Sequence, residues 1–372
     1  MDQKYYGELS IIGMKGCDEF LSKVDGYLRS FRDETERPTY LVNAECPRFG
    51  SGEGKAIIHE TLRGHDTYIY ADVFNYGVTY KMYGMNVPMS PDDHYQDIKR
   101  MLCAIGGKAR RVTLIMPMLY EGRQHRRTAR ESLDCAMALQ ELIAMGVTNI
   151  VTFDAHDPNV QQAIPYGGFD NVRPAYQMLK ALVKEYPDVT FDPEKTMIIA
   201  PDEGAMSRSM YYSSLLGVDL GMFYKRRNYK IVIDGRNPIE AHEFLGKSVE
   251  GKDLIVVDDM IASGDSALDV AKQLKGRGAR RVFMFSTFGL FTSGFEKIDK
   301  AYEDGVIDKI FTTNLTYHTP DLNDHAWHCE VDMSKYVAYI IDTMNADGSI
   351  SKLLNPVDRI HGLLDDIRHE VK

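Results

Sequence analysis

The sequence predicts an α/β protein of two domains, each a mostly parallel sheet with helices on both faces. Three observations predict it. Helix-like and strand-like patterns alternate in both halves. The strand patterns are near-continuous apolar runs, such as DLIVVDD (253–259) and TMIIAPD (196–202), as in strands buried on both faces. At roughly 100 to 200 residues per domain, 372 residues make room for two cores.

The elements follow in order. GGKARRVTLIMPM (106–118), GVTNIVTFDAH (146–156) and GRGARRVFMFSTF (276–288) each open on Gly, pass through a few polar residues and enter a buried-looking strand, the pattern of a helix C-cap feeding a strand. Before the second, Leu133, Ala136, Met137, Leu139, Leu142 and Ile143 recur at helical spacing; before the third, Leu268, Val270, Ala271 and Leu274 do. Residues 75–93, rich in Tyr, Met, Gly and Pro without period, read as a long loop or insertion. Paired Gly167 and Gly168 between Pro165 and Pro174 set the domain boundary, giving domains 1–167 and 168–334, with the tail 335–372 packing on the first. Within that tail, 355–372 reads as one amphipathic helix.

Composition narrows the function classes. With 44 Lys plus Arg against 54 Asp plus Glu, the net charge of −10 disfavours a nucleic-acid partner, whose phosphates demand a basic surface. Cys17, Cys46, Cys103, Cys135 and Cys329 are odd in number and form no CxxC pair, which fits reduced thiols. No apolar run approaches the roughly 18 residues of a membrane span, and the start lacks a secretory pattern. No membrane partner and a cytoplasmic address are expected.

In parallel sheets, ligands bind beyond the strand C-termini, which directs attention to Asp154–Asp157, Asp202–Ala205 and Asp258–Ser266. In LIVVDDMIASGDSALDVAKQL a buried strand ends in Asp258 and Asp259, followed by a small-residue loop and a helix. Two carboxylates accept hydrogen bonds from adjacent sugar hydroxyls, while Ser263, Gly264, Asp265 and Ser266 offer donors at a helix N-terminus that favours an anion. The plainer alternative is an N-capped helix with Ser263 or Ser266 as the cap. In FDAHDPNVQQ, Asp154 and His156 share a face and can hold a divalent cation directly or through water; a solvated strand cap is the alternative. Arg123, Arg126, Arg127 and Arg130, then Lys225, Arg226 and Arg227, are basic clusters in an acidic chain, either polyphosphate clamps or solvated faces. His318, His325, His328 and Cys329 match no zinc spacing and read as structural or exposed. Walker, dinucleotide-binding and serine-hydrolase motifs are missing from the sequence.

In order, RFGSGEG, GRQHRR, VTFDAHDPNVQ, PDEGA, YKRR and VDDMIASGDSA resemble the ribose-phosphate pyrophosphokinase family, from about residue 46 to 354. The resemblance implies two phosphoribosyltransferase-like domains and transfer of the pyrophosphoryl group of Mg-ATP to the anomeric hydroxyl of ribose 5-phosphate, releasing AMP. It implies Mg²⁺ as cofactor and a homo-oligomer, dimer-based and up to a hexamer. By the same resemblance Arg123 and Gln124 contact ATP, and Phe49 and Glu53 reach the adenine from a neighbouring subunit. His156 and Asp202 match cation positions, with Asp154 beside them. Lys225 and Arg227 match the catalytic pair, with His156; Asp258 and Asp259 match the ribose-hydroxyl binders, and Ser263–Ser266 would hold the 5-phosphate.

Departures from the family pattern are Ser51 and His125, which bear on nucleotide choice, Ala262 and Asp265 in the phosphate loop, and extra length at 75–93, 228–240 and after 354. A carboxylate at Asp265 about 5 Å from a phosphate would cost roughly 3 kcal/mol per unit charge at an effective dielectric near 20. The side chain is therefore expected to turn outward, the inward alternative lowering affinity. Two competing functions remain in view: a phosphoribosyltransferase that consumes phosphoribosyl pyrophosphate, and a catalytically weak regulatory paralogue of the synthetase.

Overall fold

The computed structural model describes residues 5–34, 38–227 and 239–370; the side chains of 225–227, 239–242 and 365–370 lie outside that description. The chain runs β1 (Glu8–Gly13), α1 (Asp18–Phe31), β2 (Ala44–Glu45), β3 (Ile57–Ile58), β4 (His65–Tyr70), β5 (Thr79–Met82), β6 (Met85–Pro88), α2 (Pro91–Ile105), β7 (Arg111–Ile115), α3 (Asp134–Ala144), β8 (Asn149–Phe153) and β9 (Gly168–Val172). It continues with α4 (Ala175–Glu185), β10 (Thr196–Ala200), α5 (Met206–Leu216), β11 (Asp219–Arg227), β12 (Ile239–Leu245), β13 (Asp253–Ile261), α6 (Asp265–Gly276), β14 (Arg281–Gly289), α7 (Glu296–Glu303), β15 (Lys309–Thr313), β16 (His328–Val331), α8 (Ser334–Asn345), α9 (Ser351–Leu354) and α10 (Val357–Glu370).

These elements form two units. The first holds the described residues up to Pro174, with 314–319 and 332–355; the second holds those of 175–313, with 320–331 and those after 355. The first unit carries a five-stranded sheet in the order β1-β4-β7-β8-β9, every pairing parallel. The second carries seven strands, β12-β11-β10-β13-β14-β15-β16, parallel except for the antiparallel edge strand β12. The apolar runs account for this. Ile12, Ile69, Leu114 and Ile150 are fully buried under α2 and α3, and Met197, Leu254, Val282 and Phe311 are fully buried in the second sheet. Gly106 caps α2 in the left-handed conformation, φ 58°, turning the chain toward β7.

Three differences from the sequence expectations have local causes. Residues 79–88 form the β5–β6 hairpin, whose turn residues Tyr83 and Gly84 both have positive φ, the geometry that suits a tight two-residue turn. Its strands alternate Tyr80 and Met82 with exposed residues too weakly for the period to stand out. A capping box of Ser90 and Asp93 then starts α2. The expected boundary at Gly167–Gly168 falls before β9, which pairs with β8 and so belongs to the first unit. In α3 the buried face is Cys135, Ala138, Leu139 and Leu142, while Met137 faces solvent.

The tail divides between the units. In the first, Phe31 of α1 stacks on Tyr339 of α8, and Arg32 pairs with Asp342 at 2.7 Å. Arg111 of β7 grips fully buried Asp66 through Nε at 2.8 Å and Nη2 at 2.6 Å, and donates to the Met344 carbonyl; Asn345 Nδ2 donates to the same carboxylate. In the second, the Arg359 guanidinium of α10 lies 5.2 Å from the Tyr176 ring centre of α4. Among the described residues, no helix is long and apolar enough to cross a membrane.

Candidate active site

In the first unit β8 ends at Phe153, and the next residue, Asp154, turns the chain with φ 41°, unusual for a residue with a side chain. Asp154 is buried, its N–H donating to the Val172 carbonyl of β9, and Ala155 N–H donates to Asn171 Oδ1. The strain sits where the strand runs out and the chain must leave the sheet. His156 stands exposed beyond it, its ring 5.3 Å from that of His125, whose Nε2 is 3.5 Å from Asp157 Oδ2. The His125–Asp157 contact ties the segment after β7 to the segment after β8, so GRQHRR and FDAHD meet although distant in sequence.

Arg123 is exposed, as are Arg126, Arg127 and Arg130, in a segment of turns and bends. Gln124 is half-buried and donates from Nε2 to the Ser132 carbonyl at 3.0 Å, closing that segment into a loop. Phe49 is 53% exposed at the tip of a second loop, closed by Phe49 N–H donating to the Glu53 carbonyl; Glu53 is exposed and accepts from Ser51 Oγ at 2.8 Å. The β5–β6 hairpin braces this loop, Tyr83 N–H donating to the Gly50 carbonyl. The two loops present Arg123, Phe49 and Glu53 to solvent.

In the second unit Asp258 and Asp259 lie inside β13 and do not end it, because pairing with β14 continues through Met260 and Ile261. Asp259 is buried and Asp258 half-buried, its carboxylate accepting from Asp259 N–H at 2.9 Å. Arg208 of α5, buried, sets Nη1 3.9 Å from Asp258 Oδ1 and 3.8 Å from Asp259 Oδ1. Burial and the Asp259 carboxylate push Asp258 well above the usual carboxylate range, and Arg208 pulls the other way. Asp202, just after β10, lines one cleft with Asp258 and Ser266, so two carboxylates and the start of α6 converge. Asp202 Oδ1 also accepts from Ala205 N–H at the start of α5.

α6 is capped by Gly264 in the left-handed conformation, φ 84°, and not by Ser263 or Ser266. Glycine lets the chain turn sharply there without the cost a Cβ imposes. Asp265 is exposed and pairs with Lys297 of α7 at 2.6 Å; that ammonium and Ser263 Oγ hold its carboxyl below its usual range. The carboxylate is thus turned to Lys297, the outward orientation.

Sequence reasoning missed Arg208, whose only signal was an arginine one turn into the helix after PDEGA. Asp202, which the resemblance groups with His156 and Asp154, lines a cleft with Asp258 in the second unit, and Asp154 and His156 belong to the first unit. Lys225 and Arg227 belong to the last stretch of β11, opposite His242 and Ile239 of β12; their side chains lie outside the described residues, as do residues 228–238. The His and Cys group does not converge. Burial pushes His318 down to about 4, His325 Nδ1 meets Asp299 Oδ1 together with the Trp327 indole, His328 meets Thr312 Oγ1, and Cys329 is half-buried on β16.

The sequence family described as the N-terminal domain of ribose phosphate pyrophosphokinase matches residues 9–146, and the phosphoribosyl synthetase-associated domain matches 234–355. Together they span well over half the chain. Ribose-phosphate pyrophosphokinase from Vibrio cholerae is 26% identical over 321 residues, covering 85% of this chain and 92% of that protein. The protein of that name from Thermotoga maritima is 27% identical over 285 residues, covering 75% and 80%. The crystal structure of phosphoribosylpyrophosphate synthetase from Mycobacterium smegmatis matches with a TM-score of 0.73 at 19% identity, covering 92% of this chain and all of that one, which establishes the shared fold.

Proposed function

Since the chain belongs to the ribose-phosphate pyrophosphokinase family, we propose that it transfers the pyrophosphoryl group of ATP to the anomeric hydroxyl of ribose 5-phosphate, giving phosphoribosyl pyrophosphate and AMP. The observation that carries the reading is the cleft that joins Asp202, Asp258 and the first turn of α6 in the second unit. An anion at that helix start meets backbone N–H groups of Ser263–Ser266, and sugar hydroxyls donate to Asp258 and Asp259. Arg208 offsets part of the charge of that carboxylate pair, so both can accept hydrogen bonds without full mutual repulsion.

The remaining roles fall to groups that hold charge rather than form covalent bonds, because in-line displacement at phosphorus is governed by positioning and electrostatics. Arg123 and Gln124 bind the nucleotide, and Phe49 and Glu53 take its base from a neighbouring subunit of a dimer-based oligomer. Lys225 and Arg227 steady the migrating group. Asp154 and His156 fit a divalent cation of the Mg²⁺ type only in part. Among the described residues no three His, Cys, Asp or Glu side chains gather into a metal-holding group, and a hard cation held by one or two protein ligands completes its shell with water and substrate phosphates. When bound, it neutralises phosphate charge.

The test is phosphorus NMR of the protein with Mg-ATP and ribose 5-phosphate. Equal amounts of AMP and phosphoribosyl pyrophosphate, formed only with the divalent cation, are expected; ADP as the main nucleotide product would sink the reading. Diluting the same mixture lowers specific activity if sites are shared between subunits, and a fully active monomer by light scattering refutes that part.

The Asp265–Lys297 pair carries a further expectation. Asp265→Gly leaves the ribose 5-phosphate KM within about threefold, the scale of a solvent-exposed charge at a helix end. A KM lowered tenfold or more would mean that the carboxylate faces the phosphate.

A further inference from the structure

A cavity of about 550 Å³ in the first unit lies between the residues after β1 and the strand that precedes the Phe49 loop. Lys15, Arg48, Gly50, Tyr80 and Lys81 line it; none of Arg123, Gln124 or His156 does. Its size suits a small molecule.

Arg48 makes it a built site. The side chain is 7% exposed, and its Nη1 bonds Asp97 Oδ1 at 2.5 Å. That carboxylate also holds Arg100 at 2.7 Å, so two guanidinium groups share one buried negative charge. The Arg48 guanidinium lies 5.2 Å from the Tyr80 ring centre, and a Cβ at Gly54 would overlap Nη1, so glycine there makes room for it. The other edge, Nε and Nη2, is buried and makes no hydrogen bond.

Two other arginines show what that edge takes in this protein. Arg111 uses Nε and Nη2 on Asp66, and Arg281 uses Nε and Nη2 on Asp253, each at 2.6 to 2.9 Å. Both are paired forks on a two-oxygen anion. Arg48 has the same fork, desolvated and unfilled, beside a cavity that Lys15 and Lys81 also line. Lys15 already donates to the Thr79 carbonyl, and Asp18 and Glu45 line the cavity too, which confines an anion to the Arg48 side.

We propose that this cavity binds a small molecule through a phosphate or carboxylate group seated on the Nε and Nη2 edge of Arg48. Backbone pairing of Arg48 with Gly54 closes the 48–54 loop, so a ligand on this fork bears on the base of the loop that carries Phe49. The binding stands independently of the proposed function.

The test is isothermal titration calorimetry of the full chain with inorganic phosphate and, separately, succinate. Saturable binding of at least one is expected, and which one binds separates the two chemistries. Arg48→Lys keeps the charge and loses the fork, and is expected to weaken binding by about tenfold or more. If that variant fails to fold, Lys81→Glu on the solvent-facing hairpin serves instead, with a loss of about threefold or more expected from the reversed charge. Failure of both anions to bind overturns the proposal. So does phosphate binding that survives the Arg48 or Lys81 substitution and is lost in Ser266→Ala, because that binding belongs to α6.

Discussion

Lys225→Ala is expected to lower kcat by about 10² to 10³ while changing the ATP KM little, the loss typical of one preorganised group that meets charge as it migrates. The residue stands in the last stretch of β11, where a strand delivers side chains to the edge of the sheet at which parallel α/β folds bind ligands. Steady-state kinetics of the folded variant check it, folding being read from an unchanged melting curve. An unaltered kcat would make Lys225 an ordinary surface lysine, and a rise in KM alone would make it a binding residue.

The second large effect is on stability. Arg111→Ala leaves the buried Asp66 carboxylate with, among the described residues, the Tyr68 and Asn345 side chains donating to it, and removes the link from β7 to the Met344 carbonyl of α8. Breaking one side of such a buried pair costs about 3 to 5 kcal/mol, because the surviving charge stays out of water. In a unit of this size that lowers the melting temperature by roughly 10 °C. Scanning calorimetry of the variant tests it, and a change below about 2 °C would show that Asp66 is rehydrated or protonated at little cost. Arg111→Lys should fall between, since an ammonium replaces the charge and loses the two-point grip.

The centre of the seven-stranded sheet was legible from sequence because strands buried on two faces must be apolar nearly throughout, and DLIVVDD and TMIIAPD have few other readings. The β5–β6 hairpin was not. It lies on the surface, has only half-buried Tyr80 and Met82 to pattern its first strand, and turns on Tyr83, a residue whose positive φ no local rule anticipates. Local motifs named Asp258, Asp259 and the α6 start correctly as neighbours, since a strand, a loop and a helix in succession place them so. They could not give Arg208 or the approach of Asp202, which come from α5 and the β10 end through sheet order alone. The outward turn of Asp265 is of the same kind: its partner Lys297 sits on α7, 32 residues on, and nothing local in DDMIASGDS announces it. Gly264 in place of a serine cap has a local cause, yet the serines on either side made them the obvious candidates.

The account rests on attack at the β-phosphorus of ATP, and isotope position tests that most directly. Protein, divalent cation and ribose 5-phosphate are incubated with ATP carrying radioactive phosphorus at the β position, and in a parallel reaction at the γ position, and the products are separated. Both labels should leave the nucleotide together and appear in phosphoribosyl pyrophosphate, with unlabelled AMP left behind. Retention of the β label in ADP while the γ label moves alone would contradict the account, because it would place the attack one phosphorus further out.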